Sequence, residues 1–172
     1  MLLDIIDLDK LRRAILYLLV IGIALWLQTG VFSRIALLGV KPMFVPAVVV
    51  AIGLWEDGVW GGVLGLVAGI GCDLALAGST VLFLILLAAV GFFSGVLAEF
   101  FINRRFLAFL LLSVAALLLT AFFQAFPLWA FHGAAPGALA SVALLQAAWS
   151  LPFAVPAYFS ARAVSGRAKI EG

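Results

Sequence analysis

Charged side chains are scarce in this chain, and their scarcity excludes an ordinary soluble domain. Asp, Glu, Lys and Arg together make up 10% of its 172 residues, whereas a soluble domain carries about 25%. Hydrophobic residues make up 67%, and the mean hydropathy is +1.32. The net charge of +2 is small and is not gathered in one patch, so we expect no nucleic-acid partner. The composition predicts an all-α polytopic membrane protein.

Cysteine and histidine are nearly absent, with one residue of each, Cys72 and His132. A single cysteine cannot form an internal disulfide, and a single histidine is a poor basis for a metal site. The sequence also lacks a G-x-S-x-G motif with a histidine partner, an H-E-x-x-H motif, a phosphate-binding loop and the paired aspartates of lipid-linked transferases. We therefore expect no enzyme activity, no metal and no cofactor.

The apolar residues fall into six segments separated by short polar or glycine-containing turns. A transmembrane helix needs about 20 residues, so the length predicts a single transmembrane domain over residues 1–172. The predicted spans are 14–33, 42–55, 59–77, 80–102, 106–131 and 138–160. Residues 1–13 place apolar and acidic side chains at helical spacing, which favours an amphipathic helix in the membrane interface over a frayed terminus.

The second segment is short for a membrane span. Its charge-free stretch, 42–55, contains 14 residues and would be about 21 Å long as a helix, whereas the hydrocarbon core is about 30 Å thick. Segments 42–55 and 59–77 could therefore form a re-entrant pair. We favour two spans, and the fourth segment begins on the same side in both cases.

Basic residues predict the orientation of the chain. If the N-terminus is cytoplasmic, the inner side holds eight of the ten Lys and Arg residues, and only Arg34 and Lys41 lie outside. Because cytoplasmic loops of membrane proteins are enriched in Lys and Arg, both termini are predicted to be cytoplasmic.

Glycine recurs every fourth residue in the third and fourth segments, and each series ends in an acid. The series are Gly61, Gly65, Gly69 and Asp73, and then Gly91, Gly95 and Glu99. Residues four apart lie on one helix face, and small residues let membrane helices approach closely. These glycine stripes predict either packing within the bundle or docking of a partner's transmembrane helix, for which the third segment is the preferred place.

A few polar side chains lie in the half of the bundle predicted to face outward. They include Gln28, Asp73, Gln124 and Gln146. They could line an outward-facing pocket, or they could form hydrogen bonds between helices. Asp73 is either a ligand or proton site, or an interfacial acid that pairs with Arg34 or Lys41 or forms hydrogen bonds in a turn, and we favour the interfacial roles. Glu99 is predicted at the inner end, so the two acids cannot act as a general acid–base pair.

Several residues and short motifs of the first four segments together carry a resemblance to a known family. They are Leu27-Gln28, Pro42, Gly58, Gly62, Gly65, Gly69, Cys72-Asp73-Leu74, Gly78, Gly91 and Gly95. With six hydrophobic segments and short loops, the chain resembles the rod shape-determining protein MreD family. The family often has an acid just after the proline, where this chain has Met43.

The resemblance implies a non-enzymatic subunit of the bacterial cell-wall elongation complex in the inner membrane. Family members associate with MreC, and through it with the glycan polymerase RodA, a class B penicillin-binding transpeptidase and the MreB filament. Such a subunit would contact partners and membrane lipid through its intramembrane surface. It could also form a homo-oligomer. The alternative is a substrate-binding component of an energy-coupling-factor vitamin transporter, a class of small six-helix proteins thought to resemble the MreD family in fold.

Overall fold

The computed structural model of the chain describes residues 8–32, 34, 39–75, 83–100, 106–133 and 135–167. The secondary structure elements in these ranges are α1 (Leu8–Trp26), a π-helical turn (Leu27–Val31), α2 (Val45–Trp55), α3 (Gly58–Ala75), α4 (Phe83–Phe100), α5 (Phe106–His132) and α6 (Pro136–Arg167). Residues 1–7 of the predicted interfacial segment lie outside the described residues, and residues 8–13 form the first turns of α1.

Five helices are long and apolar enough to cross a membrane, which confirms a helical, multi-pass membrane protein. They are α1 with its π-helical turn, α3, α4, α5 and α6. Helices α3 and α4 contain 18 residues each, or about 27 Å at 1.5 Å per residue. Helices α5 and α6 contain 27 and 32 residues, or about 40 and 48 Å. The sixth helix is thus longer than the predicted span 138–160.

Helix α2 is the short central element of the bundle. It contains 11 residues and is about 16 Å long, because residues 41–44 of the charge-poor second segment are not helical. Pro46 lies in its first turn, where the missing N–H leaves no helical bond unmade. Every residue from Val45 to Leu54 is buried, and α2 packs against all five other helices. Protein therefore surrounds this segment on every side.

Two sets of contacts define the two ends of the bundle. At one end, which we call the Arg13 end, Glu56 after α2 contacts Arg13 near the start of α1. At the other, which we call the Gln28 end, the Val45 N–H at the start of α2 donates to Gln28 Oε1 just after α1. Helix α2 with its lead-in therefore runs antiparallel to α1 between the same two ends.

Candidate functional site

The two predicted glycine stripes face each other across the α3–α4 interface. A Cβ built on Gly95 would lie 2.6 Å from Gly58 Cα, and one built on Gly69 would lie 2.6 Å from Phe83 O. Cβ atoms on Gly61 and Gly91 would each collide with the other glycine's backbone. Carbon atoms in contact are normally 3.5–4.0 Å apart, so only glycine permits this approach along the length of both helices.

This arrangement corrects the expectation that the third-segment stripe could receive a partner's helix. The face that carries Gly61, Gly65 and Gly69 is buried against α4 of the same chain. Gly53 of α2, which belongs to neither stripe, joins the contact, since its Cβ would lie 2.6 Å from Gly91 O. Packing within the bundle, the other interpretation of the stripes, is what the structure contains.

Asp73 lies at the end of α3 and binds the first turn of α4. Its Oδ1 accepts a hydrogen bond from the Phe83 N–H at 3.0 Å, and its Oδ2 accepts one from the Leu84 N–H at 3.1 Å. The first N–H groups of a helix have no partner within the helix, and a carboxylate there is also stabilised by the helix dipole. Asp73 thus joins the end of α3 to the start of α4 by hydrogen bonds, which agrees with the expectation of local hydrogen bonding and not with the ligand-site or ion-pair roles.

The start of α2 is held by polar side chains from two other helical segments. The Met43 N–H donates to Ser150 Oγ at 2.9 Å, and the Val45 N–H donates to Gln28 Oε1 at 3.2 Å. Ser150 in turn donates to Gln146 O at 2.7 Å. Because a buried N–H without a partner is costly in an apolar bundle, these bonds allow α2 to begin inside the protein.

The three glutamines of the expected outward pocket all lie near the start of α2, where the Gln28 side chain accepts a hydrogen bond from the Val45 N–H. Gln124 Nε2 donates to Met43 Sδ, and Gln146 Nε2 donates to Gln124 Oε1 at 3.4 Å. Asp73 shares no hydrogen bond with them among the described residues. The second interpretation, hydrogen bonding between helices, therefore describes these side chains.

Beyond the Gln124–Gln146 pair, α5 and α6 form a hairpin that leaves the bundle. The last eight residues of α5, 125–132, extend about 12 Å past Gln124, and the first ten of α6, 136–145, extend about 15 Å past Gln146. No described residue from 122 to 146 is buried. We call residues 122–146 the outer hairpin. It contains no Asp, Glu, Lys or Arg, and it exposes large side chains such as Phe122, Trp129 and Phe131.

A groove of about 320 Å³ runs between the two helices of the outer hairpin. One wall is mainly aromatic and the other is rich in alanine, so the groove offers both large apolar contacts and room for close approach. Its lining residues are Leu118, Phe122, Ala125, Phe126 and Trp129 on α5, and Pro136, Leu139, Ala140 and Ala143 on α6.

A separate polar cluster lies at the Arg13 end, where the sequence indicates only a turn at Glu56-Asp57. The Glu56 side chain is only 10% exposed, and its Oε1 lies 3.5 Å from Arg13 Nη1. The Tyr17 hydroxyl donates to the same oxygen at 3.0 Å. Helical spacing places Arg13 and Tyr17, four residues apart, on one face of α1, but it does not indicate that Glu56 lies beside them.

Comparison of the chain with protein families, characterised proteins and solved structures found no match. The described side chains thus offer three kinds of interaction: an internal glycine interface, a polar support for α2 and an exposed apolar hairpin. The third presents a large apolar surface on which another molecule of the membrane could bind without disrupting the bundle.

Proposed function

We propose that this chain is a non-enzymatic scaffold subunit of the bacterial cell-wall elongation complex, in the inner membrane. Its partner would be MreC, and through MreC the glycan polymerase RodA, a class B penicillin-binding transpeptidase and MreB. The proposal combines the resemblance to the MreD family with one structural observation, the exposed and charge-free outer hairpin. A scaffold with so little mass outside its helices acts through such a surface.

The length of the hairpin supports a protein partner in preference to lipid alone. Helices α3 and α4 are about 27 Å long, which matches a hydrocarbon core of about 30 Å. The outer hairpin extends about 12–15 Å past the polar contacts at Met43 by the helical rise. Phe131 lies seven residues, or about 10 Å, past Gln124, and an apolar helix of a partner would cover this end of the hairpin better than lipid headgroups.

The proposed occupant of the groove is the transmembrane helix of MreC. Ala125, Ala140 and Ala143 provide the close approach that membrane helices use in place of a hydrophobic driving force. The absence of charge over 106–161 means that the contacting face of the partner should also be uncharged.

Filling the groove tests this assignment. Ala143→Trp should sharply reduce the recovery of MreC with the tagged protein in mild detergent, because the indole would occupy the groove. Ala115→Trp is the matched control, since Ala115 is exposed on α5 outside the groove. Equal MreC recovery with both variants would contradict docking at the hairpin. Failure of MreC to co-purify with the wild-type protein from its native membrane would contradict the proposed function itself.

The proposal includes six membrane passes with both termini in the cytoplasm, which puts the Arg13 end inside and the outer hairpin on the periplasmic side. The excess of Lys and Arg at the predicted inner ends supports this orientation. A reporter that is active only in the periplasm should be inactive when fused after Gly172. Activity of that fusion would overturn the topology.

The transport alternative requires a ligand pocket around Gln28, Asp73, Gln124 and Gln146. The side-chain oxygens of Gln28 and Asp73 accept hydrogen bonds from backbone N–H groups, and Gln124 and Gln146 bond to Met43 and to each other. These contacts give the four side chains structural roles, so they add nothing in favour of transport.

A further inference from the structure

A small polar cavity lies at the Arg13 end, between the start of α1 and the turn from α2 to α3. Its volume is about 80 Å³, several times the space that one water molecule needs. Its lining combines two cations, two carboxylates and two aromatic rings with apolar neighbours. The lining residues are Lys10, Arg13, Ala14, Tyr17, Glu56, Asp57, Trp60 and Leu64.

One carboxylate of this cavity is already engaged within the protein. Glu56 Oε1 accepts a hydrogen bond from the Tyr17 hydroxyl at 3.0 Å and lies 3.5 Å from Arg13 Nη1. These contacts hold Arg13 in place beside the cavity and fix the α2–α3 turn against α1. The remaining hydrogen-bonding groups of the cavity are therefore held beside this contact.

The cavity has both donor and acceptor capacity left over. Arg13 Nε is buried and has no hydrogen-bond partner among the described residues. Asp57 is exposed, and its carboxylate makes no ion pair or hydrogen bond within the described part of the chain. A single ligand that carries both an acceptor, such as a phosphate, and a cation would satisfy both groups.

The surroundings of the cavity are those of a membrane interface. Trp60 is 37% exposed, and Val59 beside it is 68% exposed. Leu11 and Ile15 on α1 are also exposed, at 48% and 50%. Tryptophan prefers the headgroup level of a bilayer, and the apolar side chains next to it suit acyl chains. The charged cavity is thus positioned at the depth of lipid headgroups.

From these observations we infer that the cavity binds the headgroup of a zwitterionic aminophospholipid, of the phosphatidylethanolamine class. The phosphate lies against Arg13 and Lys10, and the ammonium group lies between Asp57 and the ring of Trp60. Pockets between membrane helices bind lipid headgroups through such charges, and an ammonium over an indole gains a cation–π contact. The balanced charges of the lining favour a zwitterion over an anionic lipid.

The test measures lipid binding by the full-length protein in mild detergent, using native mass spectrometry with phosphatidylethanolamine, phosphatidylglycerol and phosphatidylcholine of matched chains. The expected order places phosphatidylethanolamine first. Asp57→Asn should lower its affinity about two- to fivefold, the range of a solvent-accessible ion pair. Trp60→Leu should lower it as well. Glu99→Gln, which removes an exposed acid on α4, is the control and should change nothing.

Tighter binding of phosphatidylglycerol, or equal binding of all three lipids, would overturn the assignment. So would an unchanged phosphatidylethanolamine affinity in both Asp57→Asn and Trp60→Leu. Soluble phosphoethanolamine is the remaining probe. If it competes at concentrations comparable to the lipid, the site recognises the free phosphoester and the lipid assignment fails, whereas absence of competition supports a lipid held by headgroup and chains together. None of these outcomes depends on MreC.

Discussion

Replacing Gly95 with alanine should destabilise the protein, although alanine is the better helix former. A Cβ at this position would lie 2.6 Å from Gly58 Cα, 2.7 Å from Gly58 N and 2.9 Å from the carbonyl carbon of Asp57. All three atoms belong to the backbone, so no side chain can rotate away. Normal carbon contacts of 3.5–4.0 Å require α3 and α4 to separate by about 1 Å at this end.

Two opposing terms set the size of the effect. Overpacking a well-packed interior costs about 1–3 kcal/mol, while the change from glycine to alanine within a helix returns up to about 1 kcal/mol. The net loss should be about 1–2 kcal/mol, which corresponds to a fall in melting temperature of roughly 2–8 °C for a chain of this size. The α3–α4 interface is continuous, so a shift at Gly95 should also loosen the contact at Gly91.

Gly22→Ala provides the matched control. Gly22 lies on the exposed face of α1, and a Cβ added there would have no heavy atom of another residue within 4 Å beyond its own helical turn. This variant should be neutral or stabilised by a few tenths of a kcal/mol to about 1 kcal/mol. Thermal unfolding in one detergent, followed by loss of the monodisperse peak in size-exclusion chromatography, measures both variants. A Gly95→Ala protein as stable as Gly22→Ala would refute the close α3–α4 contact.

Three further substitutions test the polar contacts. Asp73→Ala should lower the free energy of unfolding by about 0.5–2 kcal/mol, because the Phe83 and Leu84 N–H groups lose their acceptors. Asp73→Asn keeps one acceptor oxygen and should cost less. Equal melting temperatures of the Asp73→Ala and wild-type proteins would count against this role. Ser150→Ala should cost about 1–3 kcal/mol by leaving the buried Met43 N–H without a partner, whereas Ser141→Ala at an exposed site of the same helix should melt like the wild type. Tyr17→Phe should lower stability by about 1 kcal/mol through loss of the hydrogen bond from the hydroxyl to Glu56. An unchanged melting temperature would show that this bond does not stabilise the protein.

The sequence predicts the long helices well because their hydropathy is uninterrupted. Within the described residues, helices α3, α4 and α5 extend at most one residue beyond their predicted segments, since charged or glycine-containing stretches bound them, whereas α1 begins earlier and α6 is longer than predicted. Helix α2 is harder to predict. An apolar run has the same composition whether lipid or protein surrounds it, so hydropathy does not reveal that all residues from Val45 to Leu54 are buried.

The glycine spacing predicts that a close helix contact exists, but it does not identify the second helix. Both stripes have the same four-residue spacing, and a partner's helix could have packed on Gly61, Gly65 and Gly69 equally well. Antiparallel pairing through a short connection brings α3 and α4 together. The acceptors needed by the N–H groups at the start of α4 then explain Asp73, a role that does not depend on the stripe.

The polar residues can be predicted by type but not by partner. The sequence predicts interhelical hydrogen bonds or a pocket for Gln28, Gln124 and Gln146, and these side chains do converge. They converge because the start of α2 needs hydrogen-bond acceptors: the non-helical residues 41–44 and the first turn of α2 lie inside the bundle with N–H groups that lack helical partners. At the other end, nothing in the sequence neighbourhood of Glu56 indicates that Tyr17 and Arg13 lie beside it.

The internal use of the glycine stripes changes where a partner should be sought. A helix that docked on Gly61 and Gly65 would have to displace α4, and it would remove the backbone contacts that α3 and α4 already make. The outer hairpin requires no such exchange, because its described residues between 122 and 146 are not buried by the bundle. Its base is fixed by the bonds of Gln124 to Met43 and of Gln146 to Gln124. A partner held there would therefore bind a preformed surface, and the groove-filling substitution at Ala143 should affect partner recovery without the loss of stability expected at Gly95.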